Sequence, residues 1–225
     1  MNIALVDDHT LLREGLVALL SQAHPQTQCL QYASLGALLT GLESQGAPDL
    51  VLLDLGLPDA QGLDALQRLR EALEWVPVIV VSADERPATV LACLEGGAAG
   101  FIPKTAHFEL LWSQLSAALE GRIALPASFR LQSEELGETP HFSDRQQEVL
   151  GLLLRGLSNK SIARRLEMSE STVKTHLAVI FRKLNVSRRA EAMVVAARLG
   201  FRLPAWSAEP ALLSSATARL ATPAG

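Results

Sequence analysis

Five short apolar runs, each followed by a segment with helical spacing, fill the first 120 residues of this chain. The runs are Asn2–Val6, Gln28–Tyr32, Leu50–Leu53, Val76–Val81 and Gly100–Ile102. The helical segments lie at Thr10–Ala23, Leu35–Gln45, Leu63–Leu73, Arg86–Glu95 and Ala106–Glu120. Such alternation with short connections leaves few folds open, and it predicts an α/β domain: a doubly wound five-stranded parallel sheet with helices on both faces. Leu50–Leu53 and Val76–Val81 lack polar alternation, so they belong in the middle of the sheet, buried on both sides.

The ends of these runs carry the chemistry. Asp7 and Asp8 follow IALV, Asp54 follows LVLL, Ser82 follows VPVIVV and Lys104 follows GFIP. In an open parallel sheet the carboxyl ends of the strands share one edge, where sites form. Three carboxylates and one ammonium from separate stretches of chain therefore converge there. Hard carboxylate oxygens suit Mg²⁺, and a cation bridging Asp54 to a phosphoryl group would remove the repulsion that makes a carboxylate a weak nucleophile. Lys104 can pair with Asp54 or with a phosphoryl oxygen, and Ser82 can offer a hydroxyl to another. Taken singly, an Asp after a strand or a Ser before a helix is more often a cap or turn residue. Four strand ends carrying the set together are hard to explain that way.

At 225 residues the chain is long enough for two modest domains. No apolar run approaches the roughly 18–20 residues of a membrane helix, and the start MNIALVDDH does not read as a signal peptide. A cytoplasmic protein is expected. Cys29 and Cys93 have no zinc or redox spacing and read as small reduced core residues. Charge is divided unevenly. Residues 1–121 carry 5 Lys and Arg against 15 Asp and Glu, a balance of −10, whereas residues 142–203 carry 12 against 5, a balance of +7. A polyanion partner is therefore expected for the second part only.

Residues 122–141 lose periodicity and read as a linker, and 204–225 read as a disordered tail. Between them, 142–203 reads as four helices. Ser143 with Gln146 forms a capping box, and Val149, Leu150, Leu153 and Leu154 give the first helix its apolar face. Gly156 ends that helix, Asn159–Leu166 is a short second one, EMS is a tight turn, and Ser169 with Glu170 opens a third. In the third helix Val173, Leu177, Ile180 and Leu184 form one stripe, opposite Ser171, Lys174, Thr175, Ala178 and Arg182. Such a helix can lie in a DNA major groove, with Lys174 and Thr175 near base edges, Thr172 beside them, and Arg182 and Lys183 near phosphates.

The elements VDD, LLDLGLPDAQG, VVSA and GFIPK resemble, in that order, those of a bacterial response-regulator receiver domain, a flavodoxin-like fold, over residues 1–121. The stretch FSDRQQEVL through NKSIARRLEMSESTVKTHL resembles the DNA-binding domain of LuxR/NarL-class regulators, whose helix-turn-helix would span Asn159 to Ala178. The first resemblance implies phosphotransfer from a sensor histidine kinase to Asp54, with Mg²⁺ at Asp7, Asp8, Asp54 and the Gly56 carbonyl. It also implies a switch made of Ser82 and Phe101. The second implies that Lys174, Thr175 and position 178 read promoter DNA, as a homodimer, with RNA polymerase a further partner. Ala178 can touch a thymine methyl but cannot hydrogen-bond a base. No catalytic turnover is expected beyond slow self-dephosphorylation. A phosphatase of the haloacid dehalogenase type would need a second Asp two residues after the first, where this chain has Gly56. The opposite charges predict that, before phosphorylation, the acidic half packs against or close to the basic helix-turn-helix.

Overall fold

A computed structural model describes residues 1–105, 108–120, 122–126 and 140–201. The apolar runs become the sheet. The elements β1 (Asn2–Val6), α1 (Thr10–Ala23), β2 (Gln28–Tyr32), α2 (Leu35–Gln45) and β3 (Leu50–Leu53) keep the expected bounds. A small antiparallel hairpin follows, β4 (Gly56–Leu57) with β5 (Ala60–Gln61), then α3 (Leu63–Ala72). The rest of this half is β6 (Val78–Ser82), α4 (Pro87–Glu95), β7 (Gly100–Pro103) and α5 (Phe108–Leu119). The sheet runs β2-β1-β3-β6-β7, and each pairing in it is parallel.

Several boundaries shift by one or two residues from expectation, two of them for clear local reasons. The fourth strand begins at Val78 rather than Val76, because Pro77 has no N–H for the ladder; its carbonyl accepts from Val51 instead, at 3.0 Å. The helix after it begins at Pro87, whose fixed φ suits a first helical position. β3 and β6 are buried along their whole length, as central strands should be, and β2 is a half-exposed edge. The hairpin is pinned to α2. Asp59 accepts from the Leu35 and Gly36 amides at 3.1 and 2.7 Å, which fixes the loop that follows Asp54.

Residues 122–126, expected as linker, lie along the β7 edge: the Phe101 amide donates to the Ala124 carbonyl at 2.8 Å. Ala124 is buried and Ile123 and Leu125 pack on the core, so apolar side chains hold this stretch to the sheet. The remainder of the expected linker, and the tail from 204, lie outside the described residues, apart from 140 and 141.

The second half is α6 (Asp144–Leu154), α7 (Asn159–Arg165), α8 (Glu170–Lys183) and α9 (Arg189–Arg198). The two expected caps form, the Ser143–Gln146 box at the start of α6 and Ser169, which accepts from Thr172, at α8; Ser158, which the sequence reading did not single out, accepts from Ser161 and caps α7. Gly156 follows α6 at φ +89°, a conformation that favours glycine. The α8 stripe Val173, Leu177, Ile180 and Leu184 is buried against the neighbouring helices. The two halves touch, with α4 packed on α9.

Cysteine chemistry offers a check on α4. Cys93 is fully buried there, and burial, with the nearby Asp84 charge, pushes its thiol up to about 12. Cys29 on the β2 edge is half-buried. A thiol reagent at mildly alkaline pH should modify Cys29 in the native protein and Cys93 only on unfolding. Equal native rates would contradict the packing of α4.

Candidate functional site

The chain leaves β1 to one side for β2 and returns to the other side for β3, so the crevice of the sheet opens at the carboxyl ends of β1 and β3. Asp7 and Asp54 are the first residues past those two strands, and both side chains are nearly buried. Asp8, next along, is exposed. Lys104, just past β7, reaches across to both: its Nζ lies 2.7 Å from Asp7 Oδ2 and 2.7 Å from Asp54 Oδ2. The second contact is between charges only, since Asp54 Oδ2 has no hydrogen bond of good geometry.

One lysine thus faces two carboxylates, with Asp8 adding a third negative charge nearby. Gly56 lies against the same group: a Cβ there would sit 3.4 Å from Asp54 Oδ2, in ordinary contact. His9 joins the cluster, with Nδ1 at 2.8 Å from Asp8, 3.1 Å from Asp7 and 3.9 Å from Asp54. Ligand atoms of Asp7, Asp8, His9 and Asp54 all fall within 4.8 Å of one another. Hard oxygens, excess negative charge and a buried Asp54 oxygen that accepts no hydrogen bond together fit a divalent cation. Arg13 also donates to the Asp7 carbonyl, fixing the loop after β1. Sequence reasoning passed over both His9 and Arg13; the adjacency of His9 to the two acids was the available signal.

Ser82 is the last residue of β6 and is nearly buried. Its hydroxyl accepts from the Asp84 amide at 3.2 Å rather than capping α4. Its carbonyl accepts from the Lys104 amide at 2.8 Å, so the two groups are tied through the backbone. Asp84 is clamped by Arg86 and by Thr89, and the Arg86 guanidinium above all holds its carboxyl far below the usual range. Phe101 is fully buried in β7, beside Val80.

The basic face of the second half is open. Ser171, Thr172, Lys174, Thr175, Ala178, Arg182 and Lys183 are all exposed on α8. Their freedom differs. The Ser171 and Thr172 hydroxyls contact the capping Ser169 at 2.7 and 2.8 Å, and Thr175 donates to the Ser171 carbonyl at 3.0 Å. Lys183 donates to the His141 carbonyl at 2.7 Å and to Gln146 at 2.9 Å, so it braces the start of α6. The acidic half does pack on the helix-turn-helix domain, but against α7 and α9 and not over this face.

A doubly wound sheet with an acidic pocket at its switch point, joined to a basic helix-turn-helix, defines a receiver domain coupled to a DNA-binding domain. Family comparison agrees for both halves. Residues 3–116 match the model of the response regulator receiver domain, and residues 140–196 match that of bacterial regulatory proteins of the luxR family. The chain belongs to the response regulators that carry a luxR-family DNA-binding domain. It is 34% identical to the glycerol metabolism activator of Pseudomonas putida, over 88% of this chain and 96% of that one. It is 35% identical to the nitrate/nitrite response regulator protein NarL of Escherichia coli K12, over 85% and 93%. The RcsB response regulator of Salmonella typhimurium shares the fold, with a TM-score of 0.53 at 22% identity over 86% and 96% of the two chains. Among the described residues no helix is long and apolar enough to cross a membrane.

Proposed function

We propose that this protein is phosphorylated on Asp54 by a sensor histidine kinase in the cytoplasm, and that the modification controls its binding to promoter DNA. The observation that carries the reading is the meeting of Asp7, Asp54 and Lys104 in one buried crevice. An Asp54 oxygen attacks phosphorus, the bond from phosphorus to the donor breaks, and the donor keeps that electron pair. Asp7, Asp8, Asp54 and the Gly56 carbonyl would hold Mg²⁺, with the His9 nitrogen beside them. Bound there, the ion supplies positive charge where phosphoryl oxygens meet carboxylates. Lys104 exchanges its contact with Asp54 for a phosphoryl oxygen, and the Ser82 hydroxyl leaves the Asp84 amide for another. Phe101, fully buried in β7, is the other member of that switch. Any turnover is confined to slow loss of the protein's own phosphoryl group.

The organisation we assign is a receiver at 1–121, its sheet edge extended by 122–126, and a DNA-binding domain at 142–203. Ser171, Thr172, Lys174, Thr175 and Ala178 face the major groove, and Arg182 and Lys183 lie toward phosphates, with two copies binding inverted half-sites and RNA polymerase as a further partner. Lys174 is exposed and has no hydrogen bond or ion pair among the described residues, which leaves it available to DNA. Lys174→Ala should weaken specific binding by about 1–3 kcal/mol, roughly 5- to 150-fold, at fixed salt in a fluorescence anisotropy titration. Unchanged affinity would remove Lys174 from the interface.

The test of the whole reading uses the full chain with radiolabelled acetyl phosphate. Label should enter only with Mg²⁺ present, and the labelled protein should retain promoter fragments at lower concentration than the unlabelled one. Absence of label, or label without any change in DNA binding, would defeat it.

A further inference from the structure

His9 is placed for a role that phosphotransfer does not use. It holds the N-cap position of α1, where a side chain usually accepts from a first-turn amide, yet its ring makes no such bond. Nor is the ring held by packing, since the side chain is 66% exposed. Nδ1 instead lies over the acidic pocket, 2.8 Å from Asp8 Oδ1, 3.1 Å from Asp7 Oδ1 and 3.9 Å from Asp54 Oδ2. The His9 amide donates to the same Asp7 oxygen at 2.8 Å, which fixes the backbone beneath the ring. Lys104 takes the other Asp7 oxygen, Oδ2, and so leaves Oδ1 to the histidine.

These separations match a single coordination shell. Nitrogen and oxygen donors about 2.0–2.2 Å from one metal ion stand roughly 3–3.5 Å apart as neighbours. The His9 distances bracket that range, and ligand atoms of all four residues lie within 4.8 Å of one another. Asp54 is only 4% exposed and its Oδ2 accepts no hydrogen bond, so a buried lone pair faces the group. Carboxylates are acceptors only, so a nitrogen at these distances carries a proton, and an ion binding there displaces it to water. The donor set then decides which ion. Carboxylate oxygens alone suit Mg²⁺, whereas an imidazole nitrogen among them favours Zn²⁺ and its neighbours late in the first transition row.

We infer that Asp7, Asp8, His9 and Asp54 form a Zn²⁺ site, one nitrogen with three oxygens, and that Zn²⁺ bound there excludes phosphorylation. Zn²⁺ held by four protein ligands is tetrahedral and closed, so no position is left for a phosphoryl oxygen. Mg²⁺ is octahedral and keeps waters that such an oxygen can replace. One pocket therefore takes two ions of opposite effect, and His9 sets the preference between them. The charge of the ion, with that of Lys104, balances the three carboxylates. The effect on phosphotransfer rests on the function proposed above; the metal site itself does not.

The test uses the full chain after treatment with a chelator, titrated with Co²⁺ in the spectrophotometer and with Zn²⁺ and Mg²⁺ in the calorimeter. Co²⁺ should develop the intense visible absorption of a four-coordinate ion, and an equivalent of Zn²⁺ should abolish it. His9→Asn changes an exposed side chain, so the fold tolerates it. In that variant the ratio of Zn²⁺ to Mg²⁺ affinity should fall by at least about tenfold, the least that loss of even an outer-shell partner commonly costs. At fixed Mg²⁺, added Zn²⁺ should suppress phosphoryl uptake from acetyl phosphate by the wild type at lower concentration than by the variant. A weak six-coordinate Co²⁺ spectrum, or the same affinity ratio in both proteins, would overturn the site. Four-coordinate binding with undiminished uptake would overturn its control of phosphorylation. Failure of the wild type to take up label with Mg²⁺ alone would instead count against the proposed function, while absorption and calorimetry would still decide the Zn²⁺ site.

Discussion

Asp54→Asn should reduce phosphoryl incorporation to background and leave DNA affinity at the untreated level whether or not a phosphodonor is present. The amide keeps the shape of the carboxylate but is no nucleophile for phosphorus. The reason to expect so complete a loss is positional. Asp7 is engaged by the His9 amide at 2.8 Å and by Lys104, and Asp8 is out at the surface, so neither replaces a group at the end of β3. Stability separates this loss from misfolding. In the wild type one lysine faces the carboxylates of Asp7 and Asp54, and the variant leaves it with Asp7 alone. Removal of a buried charge that lacks a proper hydrogen bond should leave the melting temperature unchanged or higher. A lowered melting temperature would mean that the loss of uptake came from a damaged receiver.

The second large effect belongs to the other domain. Ile180 is fully buried in α8, where that helix packs on α6 and α7. Ile180→Ala should cost about 2–5 kcal/mol through lost burial and the cavity left behind. A domain of this size has only roughly 3–9 kcal/mol of stability to lose, at about 0.05–0.15 kcal/mol per residue. The variant should therefore lose DNA binding together with helical signal and show an early thermal transition, while still taking up phosphoryl label at Asp54. Loss of labelling as well would show that the receiver cannot stand without its partner domain.

The parts of this molecule that were legible in the sequence are those built from local pattern. β3 and β6 announce themselves as unbroken apolar runs because both faces are covered, and α6 and α8 because Ser143 and Ser169 stand at their caps. The pocket was legible because parallel topology sends Asp7, Asp54 and Lys104 to one edge whatever the intervening loops do. The β4–β5 hairpin was not: strands of two residues have no period to detect. Nor were the contacts between halves. Glu74 and Glu95 look like solvated charges at helix ends, and their partners Arg164 and Ala190 are 90 and 95 residues away. Charge balance predicted that the halves would meet, but a sum over residues carries no direction, and it could not tell α7 and α9 from α8.

The open face of α8 also bears on timing. A protein whose reading helix is shielded has to uncover it and then search the chromosome, two delays in series. Here Lys174, Thr175 and Arg182 stand in solvent while the receiver is docked. Weak, salt-sensitive association with DNA of any sequence is therefore open to the resting protein, and with it sliding and hopping along the duplex. Much of the search can run before any stimulus arrives. The interval between signal and promoter occupancy would then depend on the arrival of phosphate more than on travel to the target.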